Sequence, residues 1–240
     1  MMAAEPSTRL GIVLPLYDEE AVVDRVIDEL RAALLPLPCP WAALLVNNGS
    51  ADGTGVRIDA ATGPCGNGEL LGLHLPQNRG YGGGLRAGLD ALQTLRRPAV
   101  LGWAWGDAQI DLGVVPLLLQ DIDQGADLAK VIRTERQDGA LRRINSAGWG
   151  WWTRRMGAQH ADLHGCPKLF RAELLRGLPL RSDDWFLDAE LMMHAAERGL
   201  RVAERPAAMR PRPGGRSKVR PRVALQLGLK IAGWRLGWRP

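Results

Sequence analysis

Three clusters of polar residues in the 240-residue chain could bind a ligand together. They occupy residues 17–20 (Tyr-Asp-Glu-Glu), 47–50 (Asn-Asn-Gly-Ser) and 107–109 (Asp-Ala-Gln), and each follows a short apolar run typical of a buried strand. In a parallel sheet covered by helices, ligands bind at the edge where the carboxyl ends of the strands meet. The clusters therefore predict one binding site at that edge.

Positive charge is concentrated at the other end of the chain. Residues 1–200 hold 20 Lys or Arg and 25 Asp or Glu, whereas residues 201–240 hold 11 Lys or Arg and one acid, Glu204. An acidic body with a basic tail indicates an anionic partner, such as a phosphate, a nucleic acid or a membrane surface. A solvated charged terminus would produce the same pattern.

Strand-like and helix-like segments alternate over the first 130 residues. Apolar runs predict strands at residues 9–14, 41–46, 70–75, 100–104 and 127–132. Helical spacing follows the first strand, with Asp18 as the expected N-cap, and Ser50 or Asp52 is expected to cap the second helix. Two more helices are predicted at residues 85–95 and 114–122. This alternation predicts an α/β fold with a mostly parallel sheet flanked by helices.

The alternation of predicted strands and helices ends after residue 135. A helix rich in Arg and Trp is predicted at residues 138–156, a second helix at 185–198 and a short strand at 200–203. Residues 206–221 form a loop of Pro, Gly and Arg, and residues 223–238 a C-terminal amphipathic helix. That helix could lie on an anionic bilayer or pack on the domain.

Composition excludes several classes of protein. With 46% apolar and 24% charged residues, the chain is not disordered, and its length suits one large domain. Three cysteines without a CxxC pair argue for a reducing compartment. No signal peptide and no apolar stretch long enough to span a membrane is recognised, so a cytoplasmic location is expected.

Six segments resemble, in order, motifs of glycosyltransferase family 2, which has the GT-A fold. The resemblance is closest to the dolichol- and polyprenyl-phosphate sugar transferases, and six weak motifs in the right order are unlikely to coincide by chance. The segments are GIVLPLYDEE (11–20), LLVNNGSADGT (44–54), NRGYGGGLRAGL (78–89), WGDAQID (105–111), DLHGCPKLFRAELL (162–175) and RPGGRSK (212–218).

The resemblance implies inverting transfer of a sugar from a nucleotide-diphosphate donor, assisted by Mg²⁺ or Mn²⁺. Asp107 matches the second Asp of the family's D-x-D motif and Gln109 the Gln after it, so both are expected to hold the metal. Oxygen ligands suit these hard cations, which stabilise a departing diphosphate. Trp105 stands where the family has the first Asp, which removes one carboxylate from the site.

The resemblance also implies a nucleotide pocket over the first two strands. Asn48 stands where an Asp usually accepts a hydrogen bond from the base, so both uridine and guanosine remain open. Asp52 is expected to reach the nucleotide or to cap a helix, and Gly80 to cradle phosphate or to allow close packing. The residues expected to bind the donor are Pro15, Tyr17, Glu19, Asn48, Asp52, Gly80, Asp107 and Ser217.

A polyprenyl phosphate is already an anionic nucleophile, so its transferase needs cations rather than a base. Arg133, Arg212 and Lys218 match family positions and suit phosphate oxygens. A hydroxyl acceptor would instead need a general base, and Asp188 falls where inverting GT-A enzymes place their catalytic carboxylate. Asp188 is equally well explained as an acid in the first turn of a helix.

The sequence therefore predicts a GT-A domain at residues 1–218, followed by a basic amphipathic helix at 219–240. The expected activity is sugar transfer from a UDP- or GDP-sugar to a lipid phosphate, in the cytoplasm or peripherally at the inner face of the membrane. One alternative is a soluble family 2 enzyme that acts on a hydroxyl of a small molecule or glycan. A second is a non-catalytic protein that binds a nucleotide sugar or a nucleic acid, although no nucleic acid partner is expected.

Overall fold

Eight strands form one sheet in the computed structural model of the protein, which describes residues 8–134, 162–212 and 221–240. In chain order the strands are β1 (Leu10–Leu16), β2 (Trp41–Asn48), β3 (Gly63–Cys65), β4 (Gly68–Leu75), β5 (Val100–Trp103), β6 (Leu128–Thr134), β7 (Lys168–Arg171) and β8 (Val202–Ala208). Their order across the sheet is β3-β4-β2-β1-β5-β7-β6-β8. Only β3 and β7 pair antiparallel with their neighbours, which confirms the predicted mostly parallel α/β sheet.

Six α-helices in the described ranges cover the two faces of the sheet. They are α1 (Val23–Leu34), α2 (Thr54–Ala61), α3 (Gly80–Arg96), α4 (Val115–Asp123), α5 (Phe186–Glu197) and α6 (Pro221–Arg235). Alternate residues of β1 point to opposite faces: Ile12 and Leu14 belong to the core cluster that includes residues of α1, α2 and α4, while Val13 belongs to the cluster that includes residues of α3, α5 and α6. Apolar side chains on both faces explain why the strands read as continuous apolar runs.

Two strands extend beyond the predicted bounds, in both cases through a proline. β1 was expected to stop before Pro15, but it continues to Leu16, which pairs with Asn47 of β2. β8 includes Pro206 and runs to Ala208, which shortens the predicted loop. Because β8 lies at the edge of the sheet and pairs only with β6, a residue without an N–H is tolerated there.

The prediction that Asp18 caps the first helix is wrong. Helix α1 begins five residues later, at Val23, and its N-cap Val22 makes no side-chain capping bond. Asp18 instead adopts a left-handed backbone with φ of 47°, and its carboxylate accepts a hydrogen bond from the N–H of Ala51. The polar residues after β1 thus form a turn that binds the loop after β2.

The C-terminal helix α6 packs on the domain through its buried residue Trp234. The indole ring lies 6.1 Å from the ring of Phe186 and 4.8 Å from that of His194, both on α5. The predicted boundary between residues 218 and 219 and the predicted helix at 138–156 lie outside the described residues. Within the described ranges, none of the helices has the length and apolar character needed to cross a bilayer.

Candidate active site

Charged residues from three distant segments meet at the carboxyl edge of the sheet. Arg212, which follows β8, forms an ion pair with Glu19 in the turn after β1. A second nitrogen of Arg212 lies 3.8 Å from a carboxylate oxygen of Asp107, in the turn after β5. The side chains of Arg212 and Asp107 are 18% and 20% exposed, so a ligand at this edge can reach them. The structure therefore brings together three residues that the sequence predicted for the site.

A tight turn fixes the carboxylate of Asp107. Its Oδ1 accepts a hydrogen bond from the backbone N–H of Gln109 at 3.1 Å, and the intervening Ala108 has a positive φ of 55°. Burial raises the pKa of Asp107 above its ordinary value, although the Gln109 N–H and the charge of Arg212 act to lower it. A cation at the carboxylate would lower this raised pKa and favour the charged form.

Gln109 connects this turn to the segment after β8. Its side-chain nitrogen donates to the carbonyl of Arg210 at 3.2 Å, and the N–H of Arg210 donates to the Gln109 carbonyl at 2.7 Å. These bonds hold residue 210, and hence Arg212 two residues later, beside Asp107. The Gln109 side-chain oxygen, the atom expected to bind metal, is not the atom used in these bonds.

The loops after β1 and β2 are tied to each other by hydrogen bonds. The Asp52 carboxylate accepts from the N–H of Glu20 at 3.0 Å and from the N–H and hydroxyl of Thr54. The Thr54 hydroxyl in turn accepts from the N–H of Glu19 at 2.9 Å. Burial acts to raise the pKa of Asp52, but these hydrogen bonds outweigh it and lower the pKa. Asp52 therefore organises the turn that carries Glu19, and its contact with a nucleotide stays a prediction.

Asn48 holds the loop that leads into α3. Its side-chain nitrogen donates to the carbonyl of Gly80 at 2.9 Å, and its oxygen accepts from the N–H of Arg79 at 3.1 Å. Asn48 is 3% exposed. Both ends of its amide are thus occupied within the protein, and its predicted contact with the base stays a prediction.

Close packing accounts for the glycines at the start of α3. Gly80 has a φ of 77°, and a Cβ atom there would lie 2.3 Å from the carbonyl oxygen of Asp183. The N–H of Gly83 donates to that same carbonyl at 3.1 Å. Of the two explanations for Gly80, the structure therefore supports packing against the loop before α5. Pro15 and Tyr17 lie at the end of β1, partly exposed at the expected edge.

Arg133 lies at the end of β6 and is held by two neighbours. Its guanidinium makes a two-pronged contact with Asp162, with distances of 2.8 and 2.6 Å, and lies 5.3 Å from the centre of the Trp105 ring. The charge and hydrogen bonds of Arg133 keep the pKa of Asp162 well below its ordinary range, although burial acts to raise it. Asp162 was part of a recognised motif, but its spacing from Arg133 gave no signal of this pair.

Asp188 lies in the interior, not at an open edge. It has no solvent exposure, and its Oδ1 accepts from Lys168 at 2.5 Å and from the indole of Trp103 at 3.1 Å. Its Oδ2 accepts from the hydroxyl of Tyr81 at 3.1 Å. In this structure a hydroxyl acceptor has no access to the Asp188 carboxylate, so the geometry favours a structural role over that of a general base.

Trp105, which replaces an acidic residue of the family motif, is linked to this buried group. Its indole N–H donates to the Tyr81 hydroxyl at 3.1 Å, and the Tyr81 ring stacks on Trp185 at 4.2 Å. A chain of hydrogen bonds thus runs from Trp105 through Tyr81 to Asp188. Sequence reasoning noted the substitution at Trp105 but did not predict this chain, because Tyr81 lies 24 residues away.

His164 is a further, partly buried group that the sequence left without a role. Burial lowers the pKa of His164 to about 4, against the charge of Asp188, which raises it. Its Nε2 is buried and makes no hydrogen bond within the described part of the chain. His164 is therefore neutral at pH 7.

Two predicted phosphate-binding residues, Ser217 and Lys218, lie outside the described residues. In the ranges that the structure describes, no group of three or more His, Cys, Asp or Glu is arranged to hold a metal ion. Among the described residues, Asp107 is thus not part of such a cluster.

The sequence profile of glycosyl transferase family 2 matches residues 11–177, which is more than half of the chain. A glycosyltransferase of Mycobacterium tuberculosis, named as uncharacterized, is 29% identical over 219 residues, with 87% of this chain and 88% of the relative covered. The dodecaprenyl-phosphate galacturonate synthase of Rhizobium johnstonii is 28% identical over 180 residues, which cover 74% of this chain and 52% of that enzyme. The match thus spans about half the length of the second relative.

Solved structures share the fold at lower identity. Glucosyl-3-phosphoglycerate synthase from Mycobacterium tuberculosis, crystallised with Mn²⁺, UDP and glucosyl-3-phosphoglycerate, aligns with a TM-score of 0.68 and 19% identity. The alignment covers 97% of this chain and 81% of that one. At this identity the likeness supports the GT-A fold alone. From its sequence profile, the chain belongs to glycosyltransferase family 2, and it is a glycosyltransferase similar to the polyprenyl-phosphate sugar transferases.

Proposed function

We propose that the enzyme transfers a sugar from a UDP- or GDP-sugar to a polyprenyl-phosphate-type acceptor, with inversion at the anomeric carbon and the help of a divalent cation. The observation that carries the proposal is the meeting of Asp107, Glu19 and Arg212 at the carboxyl edge of the sheet. One ligand could contact both the Asp107 carboxylate, through a cation, and the Arg212 guanidinium, through a phosphate group. In proteins with open α/β sheets, ligands bind at this edge.

The residues at this edge fit a cation that arrives with its substrate. Asp107 supplies one carboxylate, and Gln109 supplies an amide oxygen that its known hydrogen bonds leave available. Mg²⁺ is commonly held by one or two carboxylates together with substrate phosphates and water, not by an all-protein cage. When bound, Mg²⁺ or Mn²⁺ would neutralise the charge that develops on the leaving diphosphate.

Arg212 is suited to bind phosphate oxygens beside that cation. Its planar guanidinium can exchange an ion pair with Glu19 for a two-pronged contact with a phosphate group. Ser217 and Lys218 follow it by five and six residues, and we infer that they complete the phosphate contacts. Pro15 and Tyr17 would line the nucleotide pocket, and the two loops held by Asp52 and Asn48 would maintain its shape.

The state of Asp188 supports a phosphate acceptor. A hydroxyl acceptor must lose its proton to a base, whereas a phosphate is already an anion. The carboxylate predicted as base is buried and bonded to Lys168, Trp103 and Tyr81. Arg133, held over Trp105 by Asp162, would instead orient the acceptor phosphate through the edge of its guanidinium that Asp162 does not occupy.

A transfer assay tests the proposal. Purified protein is incubated with radiolabelled UDP- and GDP-sugars, a short isoprenyl phosphate and Mn²⁺, and the product is extracted into organic solvent and identified by mass spectrometry. We expect a glycosyl isoprenyl phosphate from one class of nucleotide sugar, and none when the cation is chelated. A matched reaction with the unphosphorylated isoprenol should give no product.

Two results would contradict the proposal. Transfer to the isoprenol or to a soluble glycan, with none to the phosphate, would show that the enzyme acts on hydroxyl groups. Transfer at the same rate with the cation chelated would remove the metal from the reaction. A location at the inner face of the membrane follows from the proposed acceptor and is tested separately below.

A further inference from the structure

Exposed apolar side chains are concentrated on the C-terminal helix. Among the described residues, eight large apolar side chains are exposed, and half of them lie in the last 16 residues of the chain. Leu225, Leu229 and Leu236 are 67%, 66% and 88% exposed, and Trp238 is 41% exposed. Single exposed apolar residues are ordinary on a protein surface, but a contiguous group indicates a binding surface.

These leucines form a second apolar stripe on α6, opposite the one that packs on the domain. At about 100° per residue, Leu225, Leu229 and Leu236 fall within a sector of about 40°. The N–H of Leu236 donates to the carbonyl of Ala232, which continues the helical geometry past Arg235. The buried residues Leu227, Ile231 and Trp234 lie on the opposite side. A helix needs only one such stripe to pack on its own domain, so the outer stripe calls for another occupant.

The charge of this helix identifies the kind of occupant. Residues 221–240 contain four Lys or Arg and no Asp or Glu. Lys230 and Arg239 are paired with the domain residues Asp184 and Glu197, while Arg235 is exposed beside the outer stripe. Trp238 packs against Phe186 of α5, with 5.9 Å between the ring centres. Exposed leucines beside an exposed Arg, on a segment without acidic residues, are the features of a helix that lies at the surface of an anionic bilayer.

A series of side-chain contacts links α6 to residues near the carboxyl edge of the sheet. Lys230 on α6 lies 2.5 Å from Asp184, and the next residue, Trp185, stacks on Tyr81. Tyr81 in turn accepts the hydrogen bond of Trp105, under Arg133. These contacts connect α6 to the residues proposed to orient the acceptor phosphate.

We propose that the outer stripe of α6, formed by Leu225, Leu229 and Leu236, binds the surface of an anionic lipid bilayer. The inference that this bilayer presents the acceptor rests on the proposed function, whereas the binding itself does not. The leucines enter the interface between headgroups and acyl chains, and Arg235 is attracted to anionic headgroups.

Flotation with vesicles tests the binding. The 240-residue protein is mixed with phosphatidylcholine vesicles that contain or lack phosphatidylglycerol, without nucleotide sugar or polyprenyl phosphate. We expect the protein to float with the anionic vesicles and to be released by high salt. The variant Leu225→Gln/Leu229→Gln/Leu236→Gln keeps good helix formers and should bind about ten-fold more weakly or worse. The matched control Val56→Gln/Leu95→Gln/Leu117→Gln alters three exposed apolar residues on other helices and should bind as the unchanged protein does.

Activity separates this proposal from the proposed function. The α6 variant should keep its turnover of a short, water-soluble isoprenyl phosphate and lose turnover of a long polyprenyl phosphate in vesicles. Equal flotation of the α6 variant and the control variant would overturn the surface proposal, whatever the enzyme's activity. A concentration-dependent dimer that the same leucine substitutions abolish, with no vesicle binding, would overturn it in favour of a second copy of the chain.

Discussion

Two regions of the protein use the same kinds of charged residue for opposite purposes. At the carboxyl edge of the sheet, called the open edge below, Arg212 pairs with Glu19 and lies near Asp107. The side chains of Asp107 and Arg212 are partly exposed there. In the interior, Lys168 and Asp188 are bonded to each other with no exposure at all. A partly exposed pair can exchange partners with a ligand, whereas breaking a buried pair leaves a charge in a medium that solvates it poorly. Partial exposure therefore distinguishes Asp107 and Arg212, which we propose to bind a ligand, from the buried pair of Lys168 and Asp188.

The buried region contains a second lysine, which explains the arrangement of its acids. Lys130 on β6 lies opposite Lys168 on β7 in the sheet register, and both side chains have zero exposure. Each finds its own carboxylate: Lys130 pairs with Glu204 at 3.1 Å and Lys168 with Asp188. Burial, followed by the charge of Lys168, lowers the pKa of Lys130. Two like charges on adjacent strands are tolerated because each has a separate partner.

The largest expected effect is on stability, when one partner of the buried pair is removed. Lys168→Met leaves the Asp188 carboxylate buried without its cation, and we expect the free energy of unfolding to fall by about 3–5 kcal/mol. Urea denaturation followed by circular dichroism measures it. Adding Asp188→Asn removes the stranded charge but keeps acceptors and donors for its neighbours, so the double variant should regain much of the loss. A single-variant loss below about 1 kcal/mol, as for a surface pair, would remove the distinction between the regions.

At the open edge we expect the opposite pattern, a large loss of activity with little loss of stability. Asp107→Asn removes the acidic ligand for the cation and should lower kcat/KM by about 100-fold or more, as removal of one electrostatic contact to a reacting group does. Its free energy of unfolding should change by less than about 1 kcal/mol, since the side chain is partly exposed. Transfer to an isoprenyl phosphate gives the rate, and urea denaturation gives the stability.

Asp28→Asn is the matched control for that change. Its side chain is 77% exposed on α1, and we expect neither activity nor stability to change. If Asp107→Asn retained full turnover, Asp107 would not hold the cation, and the open edge would lose its proposed role.

The third prediction concerns acid stability and His164. Below a pH of about 6.5 the unfolded imidazole binds a proton, whereas the folded one stays neutral until pH is near its pKa of about 4. Because the unfolded state binds more protons in this window, stability falls as pH drops through it. His164→Gln should flatten the stability curve between these pH values by about 2–3 kcal/mol, measured by urea denaturation at several pH values. The loss linked to Asp162, whose pKa is lowered, comes at lower pH and should persist in the variant. A variant curve parallel to that of the unchanged protein would show that His164 is solvated.

The smallest expected effect is at a surface pair far from both regions. Arg9 and Asp123 form an ion pair with side chains 34% and 51% exposed. A double-mutant cycle with alanine should give a coupling energy below about 1 kcal/mol, and 1 M salt should abolish it. A coupling as large as that of Lys168 and Asp188 would mean that burial is not what divides the two kinds of pair.

Much of the sheet and the open edge could be predicted from the sequence. The apolar runs at β1, β2, β4, β5 and β6 are continuous because these strands are buried on both faces, and the polar clusters after them mark the carboxyl edge. Asp107 and Arg212 were predicted for the site, and the structure places them 3.8 Å apart. Buried strands and the polar clusters after them can be recognised from the order of neighbouring residues in the sequence.

The buried network could not be predicted in the same way. Strand β7 has the sequence Lys-Leu-Phe-Arg and lies between β5 and β6 in the sheet. Its charged residues interrupt the apolar run that would otherwise predict a buried strand. The contacts of Asp188 with Lys168, Tyr81 and Trp103 join residues 20, 107 and 85 positions away. Only the packing of α3 and α5 on the sheet brings them together, and no local spacing encodes that packing. Asp188 matches the sequence position of the catalytic base in inverting GT-A enzymes. In the structure, however, its carboxylate is surrounded by hydrogen-bond donors.

Binding of nucleotide diphosphates tests the central claim most directly, that Asp107 and a divalent cation hold the donor at the open edge. Thermal unfolding of the protein and of Asp107→Asn is followed with UDP or GDP, with and without Mn²⁺, because a ligand that binds only the folded state raises Tm. The account predicts that one of the two nucleotides raises the Tm of the unchanged protein only when Mn²⁺ is present, and that Asp107→Asn loses this shift. An equal shift without Mn²⁺, or an undiminished shift in Asp107→Asn, would contradict it.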